Sequence, residues 1–180
     1  SAAQIYDDYQ RFPWMPTVYM EGIYEFEHGV TGQCLRSQAW WAALGGQVGH
    51  FFGSGVIWDF PSSWRTGLDT EGTASMDLFG RILTAPGWGT LVPDYAHQAM
   101  VAGYGNIDDA SYAATATRAD RNSIISYIPG SRTVTIAMDR VEGLGADVWW
   151  IDAGSGESQL VGRFSTSGQR DFTTLGPGDW

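Results

Sequence analysis

The chain has 180 residues, of which 43% are hydrophobic and 17% charged, so it can pack a core and does not read as disordered. Its formal net charge is −10 and its ten basic residues are all arginine. An acidic surface of this kind repels phosphate backbones and anionic lipid, which argues against nucleic acid or a membrane surface as a partner. No apolar run reaches the length of a membrane span, and Ser1-Ala2-Ala3-Gln4 has neither the basic start nor the apolar stretch of a signal peptide. Cys34 is the sole cysteine, so no internal disulfide forms; among apolar neighbours in a predicted helix it reads as a buried, inert thiol. Aromatics make up 14% of the chain, nine of them tryptophan, which fits either a large core or rings that stack on sugar faces.

In chain order, Met15 to Met20 reads as a short strand ending at Glu21-Gly22. Thr17, Tyr19 and Glu21 fall on one face and Val18 and Met20 on the other. Gln33 to Gly45 has helical spacing, with Leu35, Ala39, Trp40 and Leu44 in the pattern and Gly45-Gly46 as the stop. Arg36 in this otherwise apolar helix is expected to pair with a buried acid. A second strand is predicted over Val48 to Phe52, followed by a Gly53-Ser54-Gly55 turn and Val56-Ile57-Trp58. A second helix is predicted from Glu71 to Ala85, capped by Thr70 and terminated by Pro86-Gly87.

After Leu91 short β-type runs take over, at Met100–Tyr104, Tyr112–Thr117, Ser123–Ile128, Thr133–Met138, Asp147–Ile151 and Gln159–Phe164, with a weaker one near Phe172. Gly, Pro, Asn and Asp punctuate them at the spacing of an all-β sandwich, and Gly154-Ser155-Gly156 looks like a hairpin turn. A boundary is therefore expected near residue 90. The first part is a parallel βαβα unit, whose two strands need a larger sheet or barrel around them, from this polypeptide or another.

Several chemistries are absent from the motif inventory. There is no G-x-S-x-G, and without lysine there is no P-loop. His28, His50 and His97 lack ligand spacing, so no transition-metal site is predicted; calcium on Asp108-Asp109 has no loop signature. Carboxylate chemistry survives. Glu21 ends a strand, and the carboxyl ends of barrel strands form the active-site face; the competing reading is a helix cap or a solvated acid.

The segment Pro16-Thr-Val-Tyr-Met-Glu21-Gly-Ile-Tyr24-Glu25 resembles the seventh-strand motif of the apiosidase-like glycoside hydrolases. Leu35-Arg36-Ser-Gln-Ala39-Trp-Trp41 resembles their next helix, and Gly49-His50-Phe-Phe-Gly53 with Ile57-Trp58 their eighth strand. Trp88-Gly-Thr-Leu-Val-Pro93-Asp94 continues the match, and Trp149-Trp150-Ile-Asp152 resembles the family's small β-domain, labelled collagen-binding. The similarity runs from about residue 6 to Trp180. Two departures flank the glutamate: Met20 stands where the family has glycine, and Gly22 where it has proline.

The resemblance implies α/β plus all-β architecture. Residues 1–90 would be the last two βα units of a (β/α)8 TIM barrel, and residues 91–180 a small antiparallel β-sandwich whose final apolar strand lies past Trp180. It also implies glycosidic-bond cleavage in polysaccharide by a retaining two-carboxylate mechanism without a cofactor, the acid/base coming from an earlier barrel strand. Glu21 would be the nucleophile, with Glu25 the runner-up. Tyr24 and His50 would contact Glu21 or substrate, and Trp58 would floor the sugar subsite; Tyr24 and Trp58 read equally as core packing, and His50 reads more readily as a satisfied interior histidine. The substrate would be a polysaccharide or glycoside and the compartment extracellular or periplasmic. The 180 residues alone would be inactive. The rival reading is a non-catalytic carbohydrate- or protein-binding or structural module of a larger assembly.

Overall fold

The computed structural model describes residues 1–84 and 87–180. Helix α1 (Ala2–Gln10) comes first, capped by the Ser1 hydroxyl. Strand β1 (Val18–Tyr19) leads through a long loop to helix α2 (Gly32–Leu44), and strand β2 (Gly49–His50) leads to helix α3 (Glu71–Leu83). The strands run parallel, with Val18 opposite Gly49 and Tyr19 opposite His50, as expected for neighbours joined by a crossover helix.

The strands are shorter than the alternation suggests. Of Met15–Met20 and Val48–Phe52 only two residues each pair, because each strand has a single partner among the described residues. Val56-Ile57-Trp58 is not extended. The Ser54 carbonyl accepts the N–H groups of both Ile57 and Trp58, which folds the chain into a turn directly after the strand. α1 escaped the sequence reading, since its Tyr, Asp and Gln leave only Ala2 and Ile5 as buried markers.

Both helix starts are chemically specified. The Thr31 hydroxyl accepts the Cys34 N–H at the head of α2. Thr70 and Thr73 form a reciprocal capping box at the head of α3. Ala85 and Pro86, the expected end of α3 and part of its terminator, lie outside the described residues.

From β3 (Leu91–Pro93) onward all pairing is antiparallel. The further strands are β4 (Met100–Ala102), β5 (Ala114–Arg118), β6 (Ile124–Tyr127), β7 (Thr133–Ala137), β8 (Gly145–Ile151), β9 (Ser158–Ser165) and β10 (Gln169–Thr173). They form two three-stranded sheets, β3-β5-β6 and β10-β7-β4, and the hairpin β8-β9. The hairpin turns at Gly154-Ser155-Gly156. There the Asp152 carboxylate accepts the N–H groups of Gly154 and Ser155, and Gly156 takes φ 78°, which costs glycine nothing.

Sheet β3-β5-β6 joins the two parts. One face, carrying Ala114, Ala116 and Tyr127, packs on Trp40 and Leu44 of α2, with Phe79 and Ile82 of α3 against the same cluster. Beyond the other face, Ala113 and Ile128 meet Met100, Val134, Trp150 and Phe172 in a second core. The contact between the parts is also polar. Arg36 donates to both Asp179 oxygens at 2.8 Å and to the Ser75 hydroxyl at 3.2 Å, and the Tyr127 hydroxyl donates to Asp179 at 2.8 Å. The buried acid expected for Arg36 is thus 143 residues away.

Candidate functional site

Glu21 leaves the carboxyl end of β1 with its side chain in solvent. The Tyr24 hydroxyl donates to Glu21 Oε1 at 3.4 Å. Partial burial, followed by the charge and hydrogen bond of Glu21, raises the Tyr24 pKa, so the phenol stays protonated as a donor.

The loop carrying Glu21 is held by Gln38, a buried α2 residue that the sequence reading did not single out. Its side-chain oxygen accepts the Ile23 N–H at 2.8 Å, and its side-chain nitrogen donates to the Ile23 carbonyl at 3.3 Å. A Cβ built on Gly22 would lie 1.7 Å from that oxygen. The departure from proline at position 22 therefore has a local reason: the absent side chain is where the Gln38 amide sits. A buried glutamine in an apolar helix was the available signal.

Glu25 sits differently although it is only four residues on. It is 6% exposed, and both its oxygens are engaged: one accepts the Thr70 hydroxyl and the other the Gly72 N–H, each at 2.7 Å. It thereby places a carboxylate at the amino end of α3, where the helix dipole favours negative charge. Its backbone resumes the parallel ladder, with its N–H donating to the Gly53 carbonyl and its carbonyl accepting the Gly55 N–H, each at 2.9 Å.

The remaining candidates surround Glu21 unequally. Trp58 is 67% exposed in the turn after Ser54, and its ring meets Tyr24 edge to face at 5.5 Å. It rides beyond the strand rather than at its end, a correction that follows from the turn closed by Ser54. His50 is half-buried, stacks on Tyr19 at 5.7 Å and has its pKa lowered by burial, which keeps it neutral at pH 7. Gly53 lets the Tyr24 ring lie on the backbone, because a Cβ there would come within 2.4 Å of it. Phe12, Trp14, Met15, Met20, Phe51 and Phe60, in the segments before and after the two strands, all expose large apolar side chains. Among the described residues no three His, Cys, Asp or Glu side chains converge as a metal site would require.

Residues 1–89 match the family model described as "Apiosidase-like, catalytic domain". Residues 92–179 match the model described as "Putative collagen-binding domain of a collagenase". Among solved structures, the chain superimposes on one titled "Glycoside hydrolase" with a TM-score of 0.85 at 20% identity, over 99% of this chain and 44% of that one. It superimposes on a glycoside hydrolase family 5 protein from Bacteroides vulgatus ATCC 8482 with a TM-score of 0.81 at 21% identity, over 94% of this chain and 41% of that one. These similarities show a shared fold, and the chain spans less than half the length of either structure. No curated protein matches in sequence. Residues 1–89 thus carry an apiosidase-like catalytic-domain sequence, followed directly by a collagen-binding-type domain sequence over residues 92–179.

Proposed function

We propose that residues 1–90 supply the last two βα units of a (β/α)8 glycosidase barrel and that Glu21 is the nucleophile of a retaining reaction. Residues 91–180 are then the accessory β-sandwich. The observation that carries this reading is the contrast between two carboxylates: Glu21 is open to solvent at a strand's carboxyl end with a Tyr24 donor, whereas Glu25 is buried with both oxygens occupied.

In the reaction, a Glu21 oxygen attacks the anomeric carbon as the glycosidic C–O bond breaks, and an acid carboxyl protonates the departing oxygen. Water then cleaves the glycosyl ester, losing its proton to that same group. The acid/base comes from barrel residues outside these 180, about 5–5.5 Å from Glu21 in the assembled site. Tyr24 orients the nucleophile, and Trp58, exposed beside it, stacks on the sugar. Glu25 anchors the next helix. The substrate class is polysaccharide or glycoside, and the setting is extracellular or periplasmic.

In the intact enzyme, Glu21→Gln removes the charge and cannot form the ester, so kcat falls by several orders of magnitude while substrate still binds. Trp58→Ala raises KM more than it lowers kcat. Glu25→Gln lowers thermal stability with a much smaller loss of turnover. Near-normal turnover in Glu21→Gln, with activity abolished in Glu25→Gln, would reverse the assignment of the two acids.

A further inference from the structure

Gly22 follows Glu21 directly, and its own backbone does not ask for glycine. Its φ lies outside the left-handed region, so an L side chain suits the conformation there. What excludes a side chain is Gln38. A Cβ at position 22 would lie 1.7 Å from Gln38 Oε1 and 2.8 Å from its Cδ. The Tyr19 ring, 3.0 Å from the same point, would need only a slight shift.

The Gln38 amide ends a flexible side chain, so it could swing clear of such a Cβ. Doing so gives up both bonds to Ile23, the accepted N–H at 2.8 Å and the donated bond to the carbonyl at 3.3 Å. Gln38 is 7% exposed, so an amide that lets go has little water to turn to.

The segment from Glu21 to Glu25 is fastened to the helices at two points. α2 holds the Ile23 backbone through Gln38, and α3 holds the Glu25 carboxylate through Thr70 and Gly72. Ile23 is the fastening nearer to Glu21, and it directly precedes Tyr24, whose hydroxyl donates to Glu21 at 3.4 Å. Releasing Ile23 therefore loosens the chain that joins the two members of that pair.

We infer that Gln38 is a positioning residue for Glu21 and Tyr24, acting through the Ile23 backbone, and that Gly22 and Gln38 work as one unit. Any side chain at position 22 undoes the hold of Gln38 on Ile23. The inference rests on Glu21 as the nucleophile. Gln38 acts on the geometry of the attack, where a displacement of about 1 Å can cost about 100-fold in rate.

A double-variant cycle in the intact enzyme tests this, read by kcat, KM and amide exchange at Ile23. Gln38→Ala and Gly22→Ala should each lower kcat about tenfold or more while KM stays within about twofold, since the loss belongs to the chemical step. Each should also speed exchange of the Ile23 amide. The double variant should be no slower than the worse single variant, because both changes break the same two bonds. Losses of kcat that multiply in the double variant overturn the unit, as does normal kcat in Gly22→Ala. Unchanged Ile23 exchange in both single variants overturns the hold itself. A loss confined to Tm, with kcat intact, reduces Gln38 to a purely structural role and overturns its positioning of Glu21. Near-normal turnover of Glu21→Gln is the separate signature of a wrong nucleophile, and it leaves the Ile23 exchange result unaltered.

Discussion

The two halves of the molecule handle their apolar residues in opposite ways. In residues 1–84 the buried apolar side chains come from α1 and α2, and none comes from β1 or β2. The strand region instead exposes Phe12, Trp14, Met20 and Phe51, with Phe12 86% exposed. In residues 87–180 the strands bury their own core around Met100, Val134, Trp150 and Phe172. The difference follows from hydrogen bonding. Antiparallel strands find partners nearby in sequence, whereas two parallel strands joined by a helix leave their outer edges and one face for other parts of a larger sheet. A broad exposed apolar surface marks an interaction face. Met20, the residue directly before Glu21, belongs to this exposed set at 65%.

The halves are nevertheless not independent, and Asp179→Ala tests how firmly they are joined. It leaves the Arg36 guanidinium without its bidentate partner at a site where the two side chains are 10% and 4% exposed. Breaking a buried pair of this kind costs about 3–5 kcal/mol. Chemical denaturation should show that loss in a transition shared by probes in both halves. A transition shifted in only one half would show that the halves fold separately.

The contrast in burial predicts the next effect. Met100→Ala, in the antiparallel core, should cost about 2–5 kcal/mol. Met20→Ala, at the exposed edge, should change stability by less than about 0.5 kcal/mol. Light scattering should also show weaker self-association for Met20→Ala. Comparable losses of stability at both positions would erase the distinction between a finished and an unfinished half.

The smallest effect is on pH dependence. Burial lowers the folded-state pKa of His50 below its unfolded value near 6.5. As pH falls through that region the unfolded chain takes up a proton that the folded chain resists, so stability decreases on acidification. His50→Gln should flatten the part of the Tm-against-pH curve between pH 7 and 5. An unchanged slope would mean that His50 is protonated in place without penalty.

Local periodicity and punctuation determined much of this architecture. Helix α2 starts one residue before the predicted position and stops at Gly45 because Thr31 and the glycine pair are local chemistry. The antiparallel runs after Leu91 fall close to their predicted places because alternation and turn residues act within a few positions. Glu21 could be singled out because it ends a strand motif. Other features depended on groups distant in sequence, and only the tertiary structure decided them. Alternation over Met15–Met20 could not show that only Val18–Tyr19 would pair, because a strand's length is set by its neighbour. No spacing rule could assign Asp179 to Arg36, the α3 amino end to Glu25, or Gln38 to the backbone at Ile23. Buried polar groups must find partners wherever the fold places them, and those partners lie 15 to 143 residues away. Sequence marked two carboxylates four residues apart, and three-dimensional packing buried Glu25 against the start of α3 while leaving Glu21 in solvent.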